Sequence, residues 1–282
     1  MSYLVNDATQ QKAPTRPILR YHGGKWMLAE WVISHFPVHK VYVEPFGGAA
    51  SILLQKPRSY SEVYNDINGE VVNLFSVLRS NANELERQLR LTPYSRDEYD
   101  LSFEVSLDQI EQARRTVTRG FLAMHPDSLA GVKVGFRSRC SGVRGTSFVQ
   151  DWQSLPDQVS LWSGRLQGVV IECLAADKLI EQHDGSNVLF YVDPPYPQET
   201  RGGGRYRFEM SSEDHRRLAE VLRSVKGMVV LSGYPCELYD KELFPDWQRI
   251  ERRALADGAK ERTEVLWLNE AAVKAQAQQK MF

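Results

Sequence analysis

The sequence predicts an α/β protein. Its core is a mostly parallel sheet covered on both faces by helices, closed by a C-terminal antiparallel hairpin and interrupted by an inserted, mainly helical segment. Three observations carry this. Short β-branched and aromatic runs recur along the chain, helix-period stretches separate them, and residues 82–165 break that rhythm. Strands that alternate with helices need crossovers, which favours parallel pairing.

The strand-like runs are VYVEPF (41–46), EVYND (62–66), VVIEC (169–173), VLFYVDP (188–194), GMVVLSGY (227–234) and TEVLWLN (263–269). Helical patterns occupy 25–35, 49–55, 70–80, 107–124 and 211–224. The last begins SSEDHRRLAEVL, where Ser211 or Ser212 suits an N-cap, with acids in the first turn and arginines further on. WQRIERRAL and TEVLWLN, joined by ADGAKER, read as the closing hairpin, and the Gln/Ala-rich end AAVKAQAQQK as a low-complexity tail. Between 82 and 165 the chain is first helical and then rich in Gly, Ser and Arg, as in GVKVGFRSRCSGVRGTSF. This divides the chain into 1–81 with 166–282, and an insertion at 82–165.

Bulk composition bounds the function. With 282 residues, 42% hydrophobic and 25% charged, the chain supports one large core with room for an inserted lobe. No apolar run is long enough to cross a bilayer, and the polar start MSYLVNDATQQKAPTRP has none of the parts of a signal peptide. Three cysteines without CxxC spacing and six scattered histidines argue against a disulfide framework or a catalytic metal, and place the protein in a reducing cytoplasm. Net charge is −1, but Arg114, Arg115, Arg119, Lys133, Arg137, Arg139 and Arg144 gather against Asp127 alone between 112 and 149. That excess fits a phosphate-facing surface, and equally a solvated helix face with a loop.

Four stretches carry chemistry. In VEPFGGAAS (43–51) an apolar strand runs into Gly47 and Gly48, the way a backbone approaches a nucleotide-like ligand at a sheet edge, although a tight turn alone would look the same. It lacks GxGxxG spacing, which disfavours a nicotinamide dehydrogenase, and Glu44 beside it suits a ligand with a positive, amino-acid-like end. Asp66 ends the next strand, placed to accept from ribose hydroxyls or to cap the following helix; its spacing from the glycine turn favours ribose. In LRYHGGKWML, Lys25 opens a helix against the macrodipole, so it is better used reaching into a site. In YVDPPY, Pro194 and Pro195 stop the strand and fix its carbonyls. Asp193, the Pro194 carbonyl and the Tyr196 ring then offer two acceptors and a π-face, which suit the exocyclic amine of adenine.

LRYHGGKW, VEPFGGAAS, YNDIN, YVDPPY and RTEVLWLN together resemble the ordered motifs of Dam-like adenine-N6 DNA methyltransferases, the D12 class with α-group motif order. The sequel PQETRGGGRYRFEMSSEDH resembles the phage and prophage variants of that class more than the housekeeping enzyme. The resemblance implies a Rossmann-like S-adenosylmethionine-dependent methyltransferase fold, with 82–165 as a target-recognition domain. It also implies methyl transfer to N6 of an adenine flipped out of double-stranded DNA by a monomer or weak dimer. Asp193, Pro194, Pro195 and Tyr196 would be catalytic. Tyr21, Gly23 and Lys25 would border the cofactor, Glu44, Phe46 and Gly47 its methionine end, Asp66 its ribose and Asp177 its adenine. DNA would meet the basic stretch from Arg114 to Arg144, and Arg201, Arg205 and Arg207 beside the flipped nucleotide. Action on structured RNA, and a silent DNA-binding relative, are the alternatives; Asp rather than Asn before Pro-Pro leans to DNA.

Overall fold

The computed structural model describes residues 13–138, 147–201, 203–255 and 261–279. Its strands are β1 (Val41–Glu44), β2 (Ser61–Asn65), β3 (Val169–Glu172), β4 (Val188–Val192), β5 (Met228–Gly233), β6 (Gln248–Leu255) and β7 (Glu261–Leu268), in the sheet order β3-β2-β1-β4-β5-β7-β6. The first five of these run parallel, while β7 is antiparallel to both β5 and β6. Every residue of β4 and β5 is buried, so these central strands read as apolar runs, interrupted in β5 by Ser232. β6, at the edge, exposes Arg249, Glu251, Arg252 and Arg253, and such charges discourage pairing with another chain.

Helices cover both faces. On one lie α1 (Ala29–Ser34), α2 (Gly69–Ser80) and α10 (Glu270–Gln279), the last formed by the Gln/Ala-rich end. On the other lie α8 (Ala176–His183) and α9 (Ser212–Ser224). Ser211 caps α9 through a reciprocal capping box with Asp214, as its sequence requires. Between α2 and β3 come α3 (Ala82–Leu91), α4 (Arg96–Leu101), α5 (Gln109–Leu122), α6 (Phe148–Gln153) and α7 (Val159–Leu166). Their Leu85, Tyr99, Val117 and Trp162 belong to the same buried cluster as Tyr42 and Tyr64 of the sheet. These helices thus extend the α2 layer. Glu62 on β2, buried, ties the two parts by accepting from Lys56 at 2.6 Å and from Arg165 of α7 at 2.6 Å.

One expected helix does not form. Residues 49–55 make successive turns, because Gly48 (φ 49°) and Ala50 (φ 51°) take left-handed backbone conformations at their start.

Candidate active site

Glu44 and Asp193 lie at the carboxyl ends of β1 and β4, adjacent parallel strands at the point where the strand order reverses, the usual ligand crevice of an open α/β sheet. A cavity of about 570 Å³ opens there. Tyr21, Gly23, Lys25, Glu44, Phe46, Gly47, Asp66 and Asp177 all line it, with Asp193 and Pro195; Pro194 and Tyr196 do not. Residues spread from 21 to 195 in sequence thus share one site.

The glycine turn has a steric cause. A Cβ on Gly47 would stand 2.1 Å from the Tyr64 ring, and the Gly47 N–H donates to the Asn65 carbonyl at 2.7 Å. Asp66 fastens the turn from below: one oxygen accepts the Gly48 N–H and the other the Asn68 N–H, both at 2.8 Å. The cap of α2 is Asn68, whose side chain accepts from the Glu70 N–H. Burial raises the Asp66 pKa against those two bonds. Glu44 is buried and accepts from the Tyr42 hydroxyl at 2.9 Å. Burial pushes its carboxyl up to about 8, the Tyr42 bond only partly opposing, with Asp193 adding to the rise.

Lys25, 5% exposed, folds back from just before the 3-10 turn (Trp26–Leu28) that leads into α1. Its ammonium donates to the Gly23 carbonyl at 2.8 Å and stands 3.2 Å from Asp193 Oδ1. Burial pulls its pKa down, but Asp193 and Glu264 outweigh that and hold it above the ordinary lysine value. Asp193 Oδ1 also accepts from the Ser232 hydroxyl at 2.7 Å. No hydrogen bond to Asp193 Oδ2 is found among the described residues, so one carboxylate oxygen is clamped and the other is available.

The expected open face on Tyr196 is not there. The ring is 3% exposed, its hydroxyl donates to Glu264 Oε2 at 3.1 Å, the Lys25 ammonium lies 4.6 Å from its centroid, and Tyr234 meets it edge-on at 4.8 Å. It backs the site. Phenols that do line the cavity are Tyr21, Tyr191 and Tyr206; the Tyr206 hydroxyl packs over Gly23 and its ring meets His22 at 5.0 Å.

The basic cluster is mostly spoken for. Arg114 is buried, paired with Glu98 at 2.6 Å and Glu111 at 2.7 Å; Arg115 pairs with Glu111; Arg119, also buried, pairs with Glu70 and donates to the Ser102 carbonyl. These three therefore form no exposed phosphate-facing surface: they lie on the side of α5 where acids of α2, α4 and α5 await them, a partnership that local charge counting cannot see. Lys133 is exposed but paired with Asp100, and Arg137 lies 3.5 Å over Phe148. Arg139 and Arg144 fall outside the described residues. Arg201 pairs with Glu209 at 2.5 Å, Arg207 with Glu70 at 2.7 Å, and the Arg205 side chain is exposed while its N–H donates to Asp127.

Sequence reading missed Ser232, Tyr206 and the role of Glu264. A signal existed for Ser232, a polar residue near the end of the otherwise apolar run MVVLSG. Another cationic edge also escaped it. Arg252 lies over Trp31 at 5.9 Å and Arg262 over Tyr234 at 5.8 Å, both without an acidic partner among the described residues.

Comparison with known proteins gives one family model, described as D12 class N6 adenine-specific DNA methyltransferase, matching residues 21–256. The chain is 24% identical over 226 residues to the DNA adenine methylase of Haemophilus influenzae, covering 76% of this chain and 77% of that protein. It is 25% identical over 250 residues to the DNA adenine methylase of Salmonella typhi, covering 84% and 85%. Over a shorter stretch of 75 residues, 27% of each protein, it is 31% identical to the DNA adenine methylase of Escherichia coli K12.

Proposed function

The chain belongs to the D12 class of N6 adenine-specific DNA methyltransferases, and from that premise we propose how its own residues methylate adenine in DNA. The single observation that carries the reading is the arrangement of Asp193 in a cavity also lined by Glu44 and Asp66, with Oδ1 clamped by Lys25 and Ser232 and Oδ2 without a hydrogen-bond partner among the described residues.

The cavity fits S-adenosylmethionine: buried Glu44 suits a positive amino-acid end, Asp66 a ribose, and Phe46, Ile67 and Leu174 an apolar ring, with Asp177 at the rim. When bound, that cofactor supplies a methyl group on a sulfonium, a good leaving group. Asp193 Oδ2 and the Pro194 carbonyl accept the two N–H bonds of the target amine. They thereby favour a pyramidal nitrogen and stabilise the positive charge that grows on it, while Pro195 keeps both acceptors rigid. Alignment of the reacting atoms contributes roughly 7–11 kcal/mol. The base flips out of the duplex at a cost of a few kcal/mol. Tyr196 supports this wall from behind, so Tyr196→Phe is expected to lose only several-fold in rate and Tyr196→Ala far more, as measured by initial methylation rates. We further propose the bacterial or phage-infected cytoplasm as the compartment and a monomer or weak dimer as the acting form.

We assign backbone contact to Arg252 and Arg262, with Arg137, Arg205 and the 82–165 insertion as target-recognition segment. Replacing Arg252 or Arg262 by Ala is expected to flatten the slope of log affinity against log salt by about 0.9 each. Arg114→Ala is expected to leave that slope unchanged, because its charge is already neutralised inside the fold. Equal slopes in all three variants would remove the hairpin edge from the interface. The activity itself is tested by tritium transfer from S-adenosylmethionine to unmethylated duplex DNA, with structured RNA in parallel, and mass spectrometry of the nucleosides. Label in RNA alone, or in a base other than N6-methyladenine, would overturn the reading.

A further inference from the structure

Glu264 is a carboxylate on β7, only 6% exposed. It lies on the face of β7 that looks toward α1, between Arg262 and the core residue Leu266 on the same strand. One of its oxygens accepts the Tyr196 hydroxyl at 3.1 Å. The Lys25 ammonium, which sits over the same Tyr196 ring, is attracted by Glu264 as well as by Asp193. Two carboxylates thus face one ammonium across one ring. Lys25 alone beside Asp193 would cancel the charge of the residue meant to receive a nitrogen that turns positive. With Glu264 present the group of three keeps an excess negative charge.

We propose that Glu264 is a positioning residue for methyl transfer: it holds the Tyr196 ring by its hydroxyl and shares the Lys25 ammonium, so that Asp193 stays negative toward the target amine. This rests on Asp193 being that amine's acceptor. The groups facing Glu264 are Lys25 ahead of α1, Tyr191 on β4, Asp193 and Tyr196 after β4, Tyr234 after β5 and, directly across the ladder on β6, Arg252. Burial raises the Glu264 pKa, Lys25 opposing and Asp193 adding to it. Glu264 therefore takes up a proton at a higher pH than an ordinary carboxylate, and its charge is lost as pH falls through that raised value.

The test uses the full chain, unmethylated plasmid DNA and saturating S-adenosylmethionine. Glu264→Gln keeps a hydrogen-bond acceptor and removes the charge. It is expected to slow methylation about tenfold or more, to leave S-adenosylhomocysteine affinity within about threefold by calorimetry, and to move the acid limb of the rate to lower pH. Glu264→Asp is expected to recover most of the rate and the limb. Tyr196→Phe, which breaks the hydrogen bond and keeps both charges, is expected to lose less than Glu264→Gln with its limb unmoved. A Glu264→Gln enzyme as fast as the wild type overturns the proposal. So does one whose cofactor affinity and melting temperature fall along with its rate, or a Tyr196→Phe loss as large as its own. Asp193→Asn separates the two levels: if that variant is fully active, the reading of Asp193 fails. If it is dead while Glu264→Gln is normal, only the assignment of Glu264 fails.

Discussion

Asp193→Ala is expected to lower the rate of adenine methylation by about 10³-fold while leaving cofactor affinity nearly unchanged. The magnitude follows from what preorganised polar groups aimed at developing charge are worth, roughly 10²–10³ per group for neutral donors, with a charged acceptor at the upper end. The split follows from geometry. Asp193 spends Oδ1 on Lys25 and Ser232, and its other oxygen is the acceptor left over for the amine. Glu44 and Asp66, which we assign to the cofactor, keep their own partners Tyr42, Gly48 and Asn68 when Asp193 is removed. Asp193→Asn should be nearly as slow, since an amide can present a donor where only an acceptor serves. Tritium incorporation at saturating substrates, beside calorimetry with S-adenosylhomocysteine, checks both halves. A variant within tenfold of the wild type would remove Asp193 from the chemistry.

Much of the site was legible because local sequence forces it. Apolar runs ending at Glu44 and Asp193 must end at one sheet edge if the strands are parallel, and they do, side by side. Lys25 was legible because a cation at a helix start is unsupported by the helix and must find its partner elsewhere. What failed was whatever depends on long-range meeting. Arg119 finds Glu70 and Arg114 finds Glu98 through helix packing, so a basic stretch in sequence became a set of internal ion pairs. Tyr196 turned inward because Glu264, 68 residues on, receives its hydroxyl. Ser232 and Glu264 reach the site only because β5 and β7 follow β4 in the sheet, an order that no local pattern encodes. The turns at 49–55 defeated a helical pattern because left-handed residues at Gly48 and Ala50 start them off in the wrong conformation for a helix.

Cofactor affinity should rise with pH, by up to about tenfold per unit, until it levels off above the Glu44 pKa of about 8. Burial makes the Glu44 carboxyl hold its proton at neutral pH when the site has no cation. A positive amino-acid end beside it favours the ionised form, so binding must expel that proton. The sign follows directly: the more proton the free enzyme carries, the more binding costs, and that cost vanishes as pH climbs past the free-enzyme value. Calorimetric titration with S-adenosylhomocysteine in two buffers of different ionisation enthalpy counts the proton released. The ligand's own amine also titrates, so Glu44→Gln provides the reference: it keeps the ligand's contribution and loses that of the carboxyl. The difference in slope between the two proteins belongs to Glu44. Identical slopes, or wild-type affinity that falls between pH 6 and pH 8 relative to Glu44→Gln, would mean that Glu44 is a buried structural acid held by Tyr42 and that the positive end of the cofactor is met elsewhere in the cavity.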